Sequence, residues 1–256
     1  MQSSTALVLG NAADSVFYAI KDKSIYDYLM YYKIRSYTNE NIDNYQLQYL
    51  YADSAIALIK QHSLEKKLPE ELAKFLARRG EANFKLKNYT DSYDDLYNAI
   101  QMAKKYSDNC GIMYMYYSVG MILYKQQQYE SSSDYFKESL QYLDNCSEDE
   151  IGIVYRKQEI LDNIGLCYYK VANYDSALYY FKTASNYLDS NKNKLAKHEV
   201  TNRRRYYTCK AVILGNLAKI YVQSNQLDSA VSIYKQALSY HQAEGFDFRD
   251  GLGVGT

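Results

Sequence analysis

A pattern of small and large residues recurs four times along the chain. Each copy starts at a small residue, usually has a large residue 3, 9 and 16 positions later, and has a small residue 12 and 19 positions later. The four copies start at Gly80, Gly120, Gly165 and Ala218. A Leu or Tyr four positions before each start completes an apolar stripe with the period of an α-helix. The pattern predicts repeated units of two helices joined by a tight turn.

Packing between helices explains this spacing. A small residue in the first helix lets the second helix approach closely, and the Ala or Ser at position 12 has the same effect from the second helix. The large residue at position 16 then fills the space against the neighbouring unit. We therefore expect the four small starting residues at close helix crossings, with Phe136 and Phe181 buried between units.

The copy that starts at Gly165 carries a family resemblance. It reads Leu161, Ile164, Gly165, Tyr168, Tyr174, Ala177, Phe181 and Ala184, and it resembles the tetratricopeptide repeat family, whose helix-turn-helix units are about 34 residues long. The resemblance implies an all-α, right-handed superhelical solenoid. The wider spacing of the starting residues predicts long helices, as in the family's bacterial peptide-sensing regulators and motor-protein light chains. Arg79 and Asn83 depart from the pattern, because apolar residues are expected there.

The chain can be divided into segments on the same reasoning. A degenerate hairpin comes before the four clear ones, since end repeats of such arrays depart from the pattern. The predicted segments are an N-terminal helix or cap at 1–23, hairpins at 24–62, 69–106, 111–145, 148–190 and 195–244, and a flexible tail at 245–256.

Candidate catalytic residues are scarce. The three histidines, His62, His198 and His241, do not fall in a metal-binding motif, and the sequence has no nucleophile elbow or phosphate-binding loop. We therefore expect no enzyme activity, no metal site and no cofactor.

The four cysteines, Cys110, Cys146, Cys167 and Cys209, are too far apart for a metal or redox motif and too few for a disulfide scaffold. Free thiols in a reducing compartment are expected. The N-terminus has no basic residue ahead of its first apolar patch, as a signal peptide would require. These observations favour a cytoplasmic location, and an extracytoplasmic one stays open if an export signal was removed.

Composition restricts the partners. The chain has 32 Tyr, 7 Phe and no Trp, so its core must be built largely from phenol rings. The formal net charge is zero, which disfavours generic nucleic-acid binding. The residues from Arg203 to Arg205 point in three directions on a helix and are expected on its solvated surface. Apolar stretches are well short of the roughly 20 residues that span a bilayer, so no membrane insertion is expected.

Three aromatic-lysine pairs lie in register four and five positions after the small residues: Phe84-Lys85, Tyr124-Lys125 and Tyr169-Lys170. The resemblance implies that these positions, and those of Glu81, Met121, Leu166 and Lys219 one residue after each start, face a concave groove. Such a groove would favour peptides that carry acidic residues next to apolar ones. The alternative is that each lysine complements the dipole at the end of its helix and binds no ligand.

The sequence thus predicts a non-enzymatic interaction module that binds an extended peptide or a partner's helix in its groove. The alternative is the ligand-sensing region of a bacterial sensor kinase or transcriptional regulator whose output domain is absent. A further expectation concerns the C-terminal end. It lacks a polar capping helix, so either Phe246 and Phe248 fold back over the last hairpin or the end pairs with another molecule, and we favour the pairing.

Overall fold

The computed structural model describes residues 2–106, 108–147, 149–196 and 200–251. These residues form helices and connecting turns, with no β-strand among them. The helices are α1 (Gln2–Ala19), α2 (Ile25–Glu40), α3 (Tyr45–Gln61), α4 (Pro69–Lys85), α5 (Tyr89–Ala103), α6 (Asn109–Lys125), α7 (Tyr129–Leu143), α8 (Glu150–Lys170), α9 (Tyr174–Ser190), α10 (Lys192–Ala196), α11 (Val200–Gln223) and α12 (Leu227–Gly251). A search of the described helices for a membrane-spanning segment finds none.

The chain forms two compact units, unit 1 at residues 1–122 and unit 2 at residues 123–256. In unit 1, α1 packs on α2, and the hairpins α2–α3 and α4–α5 pack on each other through α3 and α4. In unit 2, α7 packs on α8, and the hairpins α8–α9 and α11–α12 pack on each other through α9 and α11. Both units are therefore built by the stacked helical hairpins that the repeat pattern predicts.

The turn between the two helices of a hairpin has the same backbone conformation five times. A residue with positive φ, between 55° and 67°, stands in each turn: Asp43, Lys87, Gln127, Ala172 and Asn225. The next amide donates to a carbonyl five residues earlier, as Asn173 N does to Tyr168 O at 3.0 Å. This is the left-handed helix ending that usually employs glycine, and here no turn has one.

The small starting residues lie at close helix crossings, as the spacing predicts. A Cβ atom at Gly165 would stand 2.6 Å from the Phe181 ring, and one at Gly80 would stand 2.8 Å from Leu96. Gly120 is buried and Ala218 is 0% exposed. At Gly165 and Gly80 the large residue at position 16 thus packs against the small residue of its own hairpin. In the last copy the residue at position 16, Tyr234, is 42% exposed.

Both phenylalanines at position 16 are buried, as expected. Phe136 and Phe181 are each 0% exposed. Phe181 also belongs to the core cluster of unit 2, which includes Leu195, Tyr206 and Ile213 from the next hairpin. The Phe181 ring therefore packs at the helix crossing within its own hairpin and also contacts the hairpin that follows.

An ion-pair cluster explains the first polar departure from the repeat pattern. The Arg79 guanidinium donates to both carboxylate oxygens of Asp95, at 2.8 and 2.6 Å, and to Asp53 at 2.6 Å. Asp95 is 6% exposed. Arg79 thereby joins α4 to α3 and α5, and a charged network replaces the apolar contact that the family pattern would supply.

Three observations differ from the sequence-based expectations. The core is not built largely from phenol rings: its buried apolar residues are mainly Leu, Ile and Ala, and among the described residues the buried tyrosines are Tyr31, Tyr116, Tyr155 and Tyr206. Most phenol rings lie nearer the surface, because a phenol hydroxyl needs a hydrogen-bond partner when it is buried.

Each of Cys110 and Cys146 is disulfide-bonded, so the expectation of four free thiols is wrong for these two. Sequence spacing and cysteine count missed this because neither gives the distance in the fold between cysteines that are far apart in the chain. Cys167 and Cys209 are free, and burial raises the pKa of both thiols to about 11.

The predicted C-terminal tail is helical up to Gly251, because no proline stops α12 after residue 244. Residues 252–256 and the side chains of Phe246 and Phe248 lie outside what the structure describes.

Candidate functional site

A cavity of about 360 Å³ opens in unit 1, on the face formed by the first helices of its hairpins. Its walls come from α2, α4 and α6 and from the end of α5. The lining residues are Tyr37, Glu40, Glu70, Ala73, Lys74, Ala77, Arg78, Glu81, Ala103, Tyr106, Asp108, Gly111, Tyr114 and Met115. Small apolar residues make the floor, and charged and phenolic groups surround it.

One wall of this cavity is formed by residues that recur at helical spacing along α4. Ala73, Ala77 and Glu81 are four residues apart, so they follow one another along a single face of the helix. Two alanines in succession leave space there, and the larger Lys74 and Arg78 lie beside them. The predicted position of Glu81, one residue after the crossing at Gly80, thus lies in the cavity wall.

Both cations of the wall have carboxylate partners. The Arg78 guanidinium donates to Glu40 on α2 at 3.1 Å and lies 5.5 Å from the centre of the Tyr37 ring. Lys74 donates to Glu70 at 2.6 Å, one turn earlier on α4. These pairs hold the cationic groups against the wall.

Glu81 differs from the other carboxylates of the wall. Its partly buried side chain makes no hydrogen bond or ion pair with any other described residue. Burial, and then the negative charge of Glu40, raise the pKa of Glu81 to about 7, although Arg78 and Lys85 act in the opposite direction. The cavity therefore contains a carboxylate that makes no ion pair with a described residue.

The predicted aromatic ladder lies at the turns. Phe84 packs on Tyr89 with ring centres 6.0 Å apart, Tyr124 on Tyr129 at 5.3 Å, and Tyr169 on Tyr174 at 5.8 Å. In all three hairpins the ring at the end of the first helix contacts the first ring of the second helix. Each ring thus has a structural role in closing its turn, and Phe84 is not part of the cavity lining.

The lysines of the ladder are exposed and occupy the last turns of α4, α6 and α8. Lys85 lies 5.7 Å from the centre of the Tyr45 ring. A cation in the last turn complements the helix dipole, so the position of Lys85, Lys125 and Lys170 accords with the structural alternative. Their use in binding stays a prediction.

The other predicted groove residues have different surroundings. Leu166 is partly buried and packs on the core of unit 2, and Met121 is partly buried. Lys219 is exposed and donates to Asn216 at 3.2 Å. Met121, Leu166 and Lys219 therefore keep their predicted role only as a proposal.

Unit 2 has a second buried carboxylate on its first helices, and this one is enclosed. Asp162 on α8 is 6% exposed and accepts from Asn216 on α11 at 3.1 and 3.3 Å. Burial raises its pKa to about 6, even though the Asn216 hydrogen bonds and Lys219 favour the charged form. Asp162 is thus a structural carboxylate between two hairpins.

Among the described residues, no group of three or more His, Cys, Asp or Glu side chains is arranged to hold a metal ion.

Residues of the cavity that sequence reasoning did not select include Glu40, Tyr106, Asp108 and Tyr114. They come from three separate hairpins, so no local spacing brings them together. The sequence signal that pointed to this cavity was the position of Glu81, one residue after Gly80.

Comparison with known proteins agrees with this architecture. A sequence model of the tetratricopeptide repeat family matches residues 213–245, which join the end of α11 to α12. A search by sequence among curated proteins returns no match.

Solved structures of low identity share the fold. BtubC (BKLC) from P. vanneervenii is 12% identical with a TM-score of 0.69, covering 95% of this chain and 91% of that one. The apo quorum sensor NprR from B. thuringiensis is 13% identical with a TM-score of 0.67, covering 92% of this chain and 60% of that one. A Rap conjugation gene regulator of plasmid pLS20, solved with the Phr* peptide, is 18% identical with a TM-score of 0.54, covering 90% and 58%. The chain is thus similar to the tetratricopeptide repeat family, with the all-α fold of stacked hairpins that its sequence predicts.

Proposed function

We propose that the chain is a non-enzymatic module that binds an extended peptide or a partner's helix on the face of its first helices. The observation that carries this proposal is the cavity of about 360 Å³ in unit 1, with an apolar floor and charged rim. Ligand sites are concave, mostly apolar and supplied with a few polar groups that fix orientation. Two proteins of similar fold, a quorum sensor and a regulator solved with a peptide, lend it support.

The test fills the cavity and measures binding. Ala77→Tyr would place a ring in the space between α4 and its neighbours, whereas Asn98→Tyr adds the same ring to an exposed position on α5. Proteins that copurify with the wild type from its native cells, identified by mass spectrometry, should be lost with Ala77→Tyr and kept with Asn98→Tyr. Equal retention by both variants would contradict the proposal.

A second candidate is the ligand-sensing region of a longer bacterial signalling protein. The chain covers only 60% of NprR and 58% of the Rap regulator, so each of those chains has a further region. Reading the whole gene for a histidine-kinase or DNA-binding segment distinguishes the two candidates.

We also propose self-association through the C-terminal end. Four apolar residues of α12 are 42% to 57% exposed and share one helix face, namely Leu227, Val231, Tyr234 and Leu238. Light scattering should show a dimer that Leu238→Lys dissociates and that Tyr179→Lys, at an exposed position on α9, leaves intact. A wild-type monomer at high concentration would contradict this.

The compartment is a proposal as well. Disulfides persist in oxidising compartments and are rare in the cytosol, so the bonded state of Cys110 and Cys146 favours an extracytoplasmic location over the cytoplasmic one. Alkylation of the protein inside its native cells, followed by mass spectrometry, should modify neither of these two cysteines. Alkylation of both cysteines would contradict this proposal and favour a reducing compartment.

A further inference from the structure

The charges of the unit 1 cavity do not balance. Its lining contains four carboxylates, from Glu40, Glu70, Glu81 and Asp108, and two cations, from Lys74 and Arg78. This excess of negative charge is opposite to what the lysine ladder predicts for the groove.

The two cations are already engaged. Glu40 holds Arg78 and Glu70 holds Lys74, while Glu71, 3.8 Å from Lys74, is also bridged by Lys33 at 3.2 Å. Each cation is thus already paired with at least one carboxylate of the lining. A bound carboxylate would have to compete with these pairs.

Two carboxylates of the lining make no ion pair with a described residue. Glu81 has no described partner, as set out above, and is the last residue of α4 in the cavity wall. Asp108 is exposed at the start of α6, where one oxygen accepts from the Gly111 amide at 2.9 Å. The carboxylates open to a ligand are thus Glu81 in the wall and Asp108 at the start of α6.

Aromatic rings complete the surroundings that a cation requires. Tyr37, Tyr106 and Tyr114 line the cavity, and Arg78 already lies over Tyr37. Cations bind the faces of such rings within about 6 Å, and the methylene stem of a long basic side chain can lie along apolar surface. Ala73, Ala77 and Met115 supply that surface.

From this juxtaposition we propose that the cavity binds an organic cation of a peptide, a Lys or Arg side chain or a free N-terminal amine, with its charged end beside Glu81. The proposal rests on the proposed function, since it names the chemistry that the same cavity recognises. It replaces the preference for acidic peptides with a preference for basic ones.

Peptide pools test this directly. Four pools of N-acetylated hexapeptides share randomised positions and differ in one fixed residue, which is Lys, Arg, norleucine or Glu. A fifth pool has fixed norleucine and a free N-terminus. The Lys and Arg pools should be retained at least about 5-fold better than the acetylated norleucine pool, and the Glu pool least. Retention of the fifth pool alone would identify the N-terminal amine as the source of the cation.

Substitution of the carboxylate separates this inference from the proposed function. Glu81→Gln should reduce retention of the Lys and Arg pools to that of the acetylated norleucine pool, and the control Asp94→Asn, at an exposed position on α5, should not. If all pools bind equally and Ala77→Tyr abolishes their binding, the proposed function is supported and the preference for cations is wrong. If Ala77→Tyr changes nothing in any pool, the proposed function itself fails. A Glu pool that binds best would overturn the inference in favour of the lysine ladder.

Discussion

The two units place a carboxylate on their first helices with opposite results. In unit 1, Glu81 borders a cavity and lacks a partner among the described residues. In unit 2, Asp162 is enclosed between α8 and α11 and held by the Asn216 amide. Burial raises the pKa of both, so both disfavour folding at neutral pH. The difference suggests that unit 2 uses its carboxylate to orient a neighbouring hairpin, whereas unit 1 leaves its own available to a ligand.

The crossings of the two units differ as well. The ring of Phe181 closes on Gly165 in unit 2, whereas Leu96 and the charged Asp95 close on Gly80 in unit 1. The backbone carbonyl of Ser92 also lies 3.2 Å from a Cβ at Gly80, but the Phe181 ring lies closer to Gly165, at 2.6 to 3.1 Å. Unit 2 should therefore tolerate change at its crossing less well than unit 1 does.

The largest expected effect comes from the crossing of unit 2. Gly165→Leu should lower the free energy of unfolding by about 3 kcal/mol, because it overpacks against Phe181, and Gly80→Leu should cost less. Urea denaturation followed by circular dichroism measures both. Gly215→Leu in α11 is the control, since a Cβ there meets no atom within 4 Å. Equal losses of unfolding free energy in Gly165→Leu and Gly80→Leu would show that the two crossings are equally sensitive to overpacking.

Next comes the ion-pair cluster of unit 1. Asp95→Ala should destabilise the protein by about 2 to 3 kcal/mol, because it leaves the partly buried Arg79 with one partner. Asp53→Ala removes the more exposed partner, with 43% of its side chain accessible, and should cost less. Thermal and urea unfolding measure the two variants. If Asp53→Ala proves the costlier change, Asp95 is not the principal partner.

The enclosed carboxylate of unit 2 gives a pH-dependent prediction. A pKa near 6 in the folded protein, against 3.8 in the unfolded chain, means that the folded state binds the proton more tightly. The contribution of Asp162 to stability should therefore fall as the pH rises from about 4 to 6 and stay level above that, while Glu81, with a pKa of about 7, extends the loss of stability to about pH 7.

Asp162→Asn should remove the contribution of Asp162 to that dependence and stabilise the protein at pH 7 by about 1 to 2 kcal/mol. Urea denaturation at several pH values provides the measurement. Glu81→Gln should stabilise it less, since Glu81 is in contact with solvent in the cavity. Destabilisation by Asp162→Asn at pH 7 would show that the charged form is required between the hairpins.

The smallest effect concerns the turns, which are the same in both units. Ala172→Gly should stabilise unit 2 by about 0.5 to 1 kcal/mol, since glycine adopts positive φ without the steric cost of a Cβ. Asn225→Gly should increase stability by less, because Asn adopts positive φ more readily than Ala does. Lys87→Gly extends the comparison to unit 1. A loss of thermal stability in Ala172→Gly would mean that the contacts of the Ala172 methyl group stabilise the protein by more than its positive φ costs.

The repeat register was predictable from sequence because a small residue and a large one 16 positions later must meet within one hairpin, as Gly165 and Phe181 do. The resemblance to tetratricopeptide repeats followed from that register. The candidate site was predictable only in part. Glu81 could be assigned to the groove by its position after Gly80, but the charge of the cavity depends on Glu40 and Asp108 from other hairpins. The bonded state of Cys110 likewise depends on distances that spacing does not give.

The phenol rings of the core have a consequence under alkaline conditions. Burial raises the pKa of Tyr155 to about 12, and burial with a neighbouring carboxylate raises those of Tyr31 and Tyr206 as well. The unfolded chain releases these protons near pH 10, so each ring increasingly favours unfolding as the pH rises past that value. A core of phenylalanine would not respond. Base should therefore unfold this protein, and the loss of helix should accompany ionisation of these three rings.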